Sequence, residues 1–387
     1  MRVLVALDKF KDALSAERAC AVVERELRRM HPDWSIDLCP LSDGGEGFGR
    51  LLTDAAQGSR IEVPAKGPRL EPRYGSIGWV ATSHLPARAR TLLARHVPLG
   101  ERIGVLEMAE VNGLALLSPD ARDALWTSTY GTGELLRAAS WLGAELLVLG
   151  IGGSATSDLG FGALAALGFA FRDETGQEIT PPFPANFRRI RRVEGRRPEG
   201  LPPLLVAHDV SNPLLGPNGA AATFGRQKGL DGAALLDHEA ESEQLASLLC
   251  RHAGVDASLA RVPGTGAAGG LGFGLLVGTG ARLVSGFELV AAWTDLDRRL
   301  EAADLLITGE GRFDGASLSG KGPGEVVRRA ARAGRRWLVL AGTIDESTRL
   351  GFDSGRAVAI TPPGTPIESA LAQTERNLAR TVAAELG

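Results

Sequence analysis

The segment Ala303-Asp304-Leu305-Leu306-Ile307-Thr308-Gly309-Glu310-Gly311-Arg312-Phe313-Asp314 decides the fold. It opens as a short apolar run and breaks at glycines, the pattern of a buried parallel strand handing over to a loop at its carboxyl end. Charge follows at once, with Glu310, Arg312, Asp314 and then Lys321 set among closely spaced glycines. A segment that only had to turn would not hold two acids, an Arg and a Lys beside a strand end. Open α/β sheets bind ligands at that edge. The stretch is therefore read as a functional site, against the plainer alternative of a solvated Gly-rich turn.

Residues 315–321 fit the first seven positions of a phosphate-binding P-loop, but the next residue is Gly322, which has no hydroxyl for magnesium. The first glycine also lies several residues past the strand, so a Walker-type site is excluded. Lys321 still precedes a predicted helix over 325–333, whose amino end favours an anion.

The same junction of strand, glycine and charge recurs along the chain. A strand at 3–7 ends in Asp8-Lys9-Phe10-Lys11, and Ser15 can cap the amphipathic helix that follows. A strand at 36–41 ends in Ser42-Asp43-Gly44-Gly45-Glu46-Gly47. From about Ser59 the rhythm changes, and runs at 61–63 and 74–81 read as a hairpin. Strands at 104–108, 145–149 and 204–207 follow. The second of these opens into Gly150-Ile151-Gly152-Gly153-Ser154-Ala155-Thr156-Ser157-Asp158, whose amides and hydroxyls suit an anion or a metal-bound phosphate. The third delivers His208-Asp209-Val210-Ser211-Asn212, polar ligands at a strand end. The glycine-studded stretch 264–280 is read as a closely packed helix.

After Phe287 the alternation of strand and helix returns, with strands at 305–308, 337–340 and 357–360. Two βα units thus precede the middle region and three follow it, and parallel strands require crossovers and bury both faces. The expected architecture is two α/β domains. Residues 1–58 and 285–387 form a flavodoxin-like five-stranded parallel sheet, a large mixed α/β domain over 59–284 is inserted into it, and the active site lies in the cleft between them.

Composition narrows the function. A chain of 387 residues with 44% hydrophobic residues, few aromatics and 50 glycines suits a two-domain α/β enzyme. A net charge of −3 argues against a nucleic-acid partner. The Arg cluster over 188–197 lacks interleaved aromatics and is read as a solvated loop. Cys20, Cys39 and Cys250 show no metal or disulfide spacing, and no run reaches membrane-spanning length, so a cytoplasmic location is expected.

With these motifs in place, the chain resembles type I glycerate kinases along nearly its whole length. The resemblance is carried by Asp8-Lys9-Phe10-Lys11, Ser42 through Gly47, Thr129-Tyr130-Gly131-Thr132-Gly133-Glu134-Leu135, and Gly152-Gly153-Ser154-Ala155-Thr156. It continues through Asp209-Val210-Ser211-Asn212-Pro213, Gln227-Lys228-Gly229, Gly266 through Gly272, and Thr308-Gly309-Glu310-Gly311-Arg312 to Lys321. It implies ATP-dependent phosphorylation of D-glycerate, mostly to 2-phosphoglycerate in bacterial members, and a fold of two α/β domains. Alternatives are a kinase of a related hydroxy acid, formation of 3-phosphoglycerate, and a non-catalytic hydroxy-acid sensor.

Phosphoryl transfer needs positioning and charge neutralisation, which suggests roles within the shared cleft. Arg312 and Lys11 would meet the substrate carboxylate, with Asp8 and Asn212 also on the substrate. Asp43 or Asp314 would accept the hydroxyl proton. Asp158 and Asp209 would hold Mg²⁺, while Gly152, Gly153, Ser154, Thr156 and Lys321 would take the ATP phosphates. The sequence departs from the family pattern at Lys9, usually Ser, and at Asp12, usually Gly. Ser157-Asp158-Leu159 likewise stands where the family has Asn-Asp-Gly.

Overall fold

The computed structural model describes the chain except for residues 316, 319–321 and 346–353. In chain order the strands are β1 (Arg2–Leu7), β2 (Ser35–Leu38), β3 (Ser59–Lys66), β4 (Pro72–Ala81), β5 (Arg102–Glu107), β6 (Leu146–Gly150) and β7 (Ala170–Arg172). They continue as β8 (Arg192–Glu194), β9 (Leu204–His208), β10 (Arg282–Ser285), β11 (Leu305–Phe313), β12 (Arg336–Ile344) and β13 (Gly355–Ala359). The chain divides into two compact units, Met1–Asp43 with Val290–Gly387, and Gly44–Leu289. These divisions fall at 43/44 and 289/290, where the sequence reading put 58/59 and 284/285. The helix Phe48–Ala55 packs on β4 and β5 and so goes with the second unit.

In the first unit the sheet order is β13-β12-β11-β1-β2 and every pairing is parallel. This is the expected flavodoxin-like order. It follows from strands apolar on both faces, with Val3, Leu4, Val5, Ala6 and Leu7 all buried. The helix Ala16–Met30 starts where Ser15 accepts a hydrogen bond from the Arg18 amide, 3.2 Å away. Its stripe of Ala19, Cys20, Val23 and Leu27 packs on the sheet with Val5, Ile307 and Leu340, and with Leu378 and Val382 of the closing helix Thr374–Leu386. Each buried Leu or Val of that layer contributes about 1.5–3 kcal/mol.

One expectation is corrected here. β11 does not end at Thr308 but runs to Phe313, with Glu310 opposite Ala341 and Arg312 opposite Thr343 on β12. Gly309 is not a break, because a Cβ there would collide with the Leu340 carbonyl oxygen. Glycine at that point lets two strands approach, so the charged residues are held on a sheet and not on a loop. Lys321, expected to take nucleotide phosphate, lies outside the described residues.

In the second unit the order is β10-β9-β6-β5-β4-β3. β3 and β4 pair antiparallel, as the hairpin reading expects, β4 and β5 also pair antiparallel, and the remaining pairs are parallel. Leu147, Leu149, Val206, Leu271 and Leu275 form one core, and Phe161, Phe171, Phe187 and Phe273 anchor a second. The glycine-studded stretch is the helix Ala267–Thr279, which leaves helical geometry at Ala268, Gly269 and Gly270. Its glycines press on the Thr156–Gly160 backbone, so it supports the loop after β6 from behind. The Arg cluster is not one loop as expected. Arg188 and Arg189 end the short 3-10 helix Pro184–Arg189, and Arg192 begins β8. Among the described residues no helix is long and apolar enough to cross a membrane.

Candidate active site

In the first unit, acids gather beyond the carboxyl ends of the central strands, because β1, β2 and β11 run in parallel and each is followed by charge. Asp8 follows β1, and its amide donates to the Gly309 carbonyl of β11 at 2.8 Å. Its carboxyl is held well above the ordinary value of 3.8, first by burial and then by the Asp43 and Glu310 carboxylates, against the Lys9 amide and ammonium. Glu310 is pushed up to about 7, again by burial first, with Asp314 and Asp43 adding to the rise and the Ser317 hydroxyl opposing it. Glu310 Oε1 is buried and has no hydrogen-bond partner among the described residues. Asp8, Asp43, Glu310 and Asp314 therefore act on one another electrostatically, and such a cluster calls for a proton or a cation.

Arg312 supplies a cation at the rim. Its Nε lies 3.2 Å from Asp314 Oδ2, and its side chain is 68% exposed. Asp314 is itself fixed by a turn in which its amide donates to Ser317 Oγ at 3.1 Å. Lys11 is exposed in the tight turn between Phe10 and Leu14, where Asp12 takes a left-handed conformation with φ of 61°. Asp8, Lys11, Asp43, Arg312 and Asp314 all belong to the first unit.

In the second unit the loop after β6 is held at both sides. The Gly152 amide donates to the Gly44 carbonyl at 2.9 Å, and a Cβ on Gly152 would sit 2.6 Å from Gly45 Cα. Glycine is needed there for backbone to cross backbone. On the other side, Ala155 donates to the Asn112 carbonyl at 2.9 Å and Leu114 to the Gly153 carbonyl at 2.7 Å. No acceptor among the described residues takes the Gly153 or Ser154 amide. Gly153, with φ of 73°, turns the chain into a left-handed bend. Glu107, buried at the end of β5, accepts from the amides of Gly47 and Gly49 at 3.0 Å each and so caps the helix Phe48–Ala55.

Two acids expected to hold a metal have other work. Asp158 is fully buried and accepts from the Thr129 amide (2.7 Å) and hydroxyl (2.9 Å) and from the amides of Gly160 and Gly162 (3.1 Å each). Burial raises its pKa, and these same bonds oppose the rise. Asp209 accepts from Ser285 Oγ at 2.8 Å and from the Phe287 amide at 2.7 Å, holding the start of the helix Gly286–Trp293. Asn212, expected on the substrate, donates from Nδ2 to the Asn218 carbonyl at 2.8 Å and to Thr223 Oγ1 at 3.1 Å, tying its own loop. Among the described residues no group of three or more His, Cys, Asp or Glu converges as a metal cage.

Sequence reasoning gave no role to Glu310 or to Lys228. The signal for Glu310 was its place between Gly309 and Gly311 at a strand end. Lys228 is 3% exposed, yet in the sequence it looks like any turn lysine flanked by glycine. Burial, opposed by the Asp158 carboxylate, lowers its pKa to about 7.

An acid cluster at the carboxyl edge of a parallel sheet is the place where open α/β folds bind small molecules. Comparison with known proteins makes this specific. The sequence model of the Glycerate kinase family matches residues 3–385, and the chain belongs to that family. The chain is 34% identical to the glycerate kinase of Halalkalibacterium halodurans over 379 residues, covering 96% of this chain and 93% of that protein. It is 33% identical to the glycerate 2-kinase of Escherichia coli over 399 residues, covering 99% and 98%. A crystal structure provisionally described as glycerate kinase 2 from Salmonella typhimurium LT2 matches with a TM-score of 0.75 at 33% identity, covering 100% of this chain and 97% of that one. The enzyme is thus a phosphotransferase of a kinase family, which implies use of ATP, and the sensor expectation falls away.

Proposed function

We propose that the enzyme transfers the γ-phosphoryl group of ATP to the 2-hydroxyl of D-glycerate, giving 2-phosphoglycerate. The observation that carries this reading is the acid cluster of Asp8, Asp43, Glu310 and Asp314, with Arg312 at its rim. A guanidinium matches a carboxylate, so Arg312, with Lys11, takes the glycerate carboxylate. Asp8 orients the substrate hydroxyls, and Asp43 or Asp314 accepts the proton of the attacking hydroxyl. Glu310 adjusts the charge of the cluster near neutrality. In the second unit, Gly152, Gly153, Ser154 and Thr156 take nucleotide phosphates, with the Gly153 and Ser154 amides, which no described residue accepts, supporting that assignment. Lys321, outside the described residues, is assigned the same role.

Mg²⁺ is the cofactor proposed, and the residues favour one location for it. Kinase magnesium is held by one or two carboxylates plus substrate phosphates, so a three-ligand protein cage is not required. The Glu310 oxygen, which no described residue bonds, and its mutually repelling neighbours suit a divalent cation, whereas the oxygens of Asp158 and Asp209 already accept bonds from Thr129 and from Ser285 and Phe287. Bound there, the ion would neutralise charge developing on the transferred phosphoryl group.

The test is turnover of purified protein with ATP, Mg²⁺ and D-glycerate, read by phosphorus NMR. Formation of 2-phosphoglycerate is expected. The 3-isomer would keep the kinase and overturn the regiochemistry, and turnover only with another hydroxy acid would overturn the substrate.

A further inference from the structure

Beneath the loop after β6 lies a cation that the roles above do not use. Lys228 ends the turn Arg226–Lys228 and is buried. Its Nζ donates to Ser154 Oγ at 2.9 Å and to the Thr156 carbonyl at 2.6 Å. A lysine is among the side chains least often fully buried, and a Met or Leu would fill the same volume without desolvating a charge. The position therefore holds an energetically expensive group. An ammonium donates and never accepts, so Ser154 Oγ must act as acceptor toward it. The hydroxyl hydrogen of Ser154 is then directed elsewhere, and no acceptor among the described residues takes it. Ser154 is thus left with two oriented donors, its amide and its hydroxyl, over a buried positive charge.

We infer that Lys228 is a positioning residue for the nucleotide: it holds the Ser154 hydroxyl as a donor to a phosphate oxygen and locks the Ser154–Thr156 segment around it. This rests on the proposal that the loop after β6 takes the ATP phosphates. The other titratable groups acting on Lys228 are Asp158 on the same loop and His238 on the helix Gly232–Ala253. His238 is held at about 4 by burial and then by Lys228 itself, so it is neutral where Lys228 titrates. When Lys228 loses its proton, at about 7, its nitrogen gains a lone pair that can accept the Ser154 hydrogen. The hydroxyl then turns inward, and nucleotide affinity falls as pH rises.

The experiment is calorimetric titration of ATP into wild type, Lys228→Met, Lys228→Arg, Ser154→Ala and the Ser154→Ala/Lys228→Met double variant, on the acid and alkaline sides of neutrality. Steady-state KM values for ATP and glycerate accompany it. Lys228→Met is expected to weaken ATP binding about 10–100-fold, the effect of losing hydrogen bonds to a charged group. Its glycerate KM stays near wild type, and Lys228→Arg recovers part of the affinity. The double variant binds no worse than Lys228→Met, and the fall of affinity with pH disappears relative to wild type. A folded Lys228→Met protein with wild-type ATP affinity overturns the inference. If that variant does not fold, Ser154→Ala decides, and unchanged ATP affinity there overturns it equally. A wild type that phosphorylates glycerate while Lys228→Met alters only the glycerate KM sinks Lys228's role and leaves the kinase reading standing. A wild type that binds no ATP removes both.

Discussion

Glu310 is the carboxyl whose titration is expected to set the working range of the proposed site. Its pKa of about 7 arises from burial and from Asp314 and Asp43 nearby, so it is protonated on the acid side of neutrality and charged above it. kcat/KM is expected to rise with pH through about 7, since this ratio reports the pKa values of the free enzyme. Glu310→Gln should remove that limb and lower the plateau on the order of 10²-fold. A limb that persists in the variant assigns the titration to another group. Two further residues record how local sequence is adjusted to backbone. Asp12 (φ 61°) and Leu159 (φ 56°) are left-handed at the two positions where the family usually has Gly. That conformation costs an L-residue roughly 1–2 kcal/mol. Asp12→Gly should therefore stabilise the protein by a fraction of that amount, because Asp tolerates the region and Gly adds unfolded-state entropy. Leu159→Gly should do the opposite, by about 1–3 kcal/mol, because Leu159 is fully buried against Gly270 and Gly274 and its loss leaves a cavity. Chemical denaturation of both variants checks the opposite signs.

At the scale of the element, β11 carries the sharpest test. Its contact with β12 depends on Gly309 lying under the Leu340 carbonyl, so Gly309→Ala must push the two strands apart. Loss of stability by about 1–3 kcal/mol is expected, the usual cost of overpacking, with glycerate turnover lost beyond what stability explains because Glu310 and Arg312 shift with the strand. A variant with wild-type turnover and melting would show that the register of β11 does not hold the acids. The same strand shows where the sequence was legible. Apolar runs such as Val3 to Leu7 and Leu305 to Ile307 identify parallel strands because burial on both faces removes alternation. The end of β11 was not legible, because a glycine that permits close strand pairing and one that ends a strand are the same letter. Asp158 and Asp209 show a related ambiguity. An acid at a strand end caps backbone amides as readily as it binds metal, and the amides of Thr129, Gly162 and Phe287 that meet these two carboxylates were not legible in the sequence.

For the whole molecule, the order of the first sheet could be counted from the rhythm of strands and helices, since right-handed crossovers leave few alternatives. The charge state of the two units could not, because it depends on burial created by long-range packing. Glu310 and Lys228, one perturbed group in each unit, have opposite consequences for stability. Glu310 in the first unit has a folded pKa raised from 4.5 to about 7, so the folded state holds the extra proton between those values. Its contribution is fully present below 4.5 and is lost as pH rises through about 7. Lys228 in the second unit has a folded pKa lowered from 10.5 to about 7, so the unfolded state holds the extra proton across that range. Its penalty is greatest at and below about 7 and is relieved as pH rises toward 10.5. Each slope is at most about 1.4 kcal/mol per pH unit for one proton. Denaturation curves collected across pH for wild type, Glu310→Gln and Lys228→Met separate the two. The difference between wild type and Glu310→Gln should vary only on the acid side of neutrality, and that between wild type and Lys228→Met only on the alkaline side. Variation in the wrong window for either variant would mean that the buried charge is neutralised by a partner other than those named here.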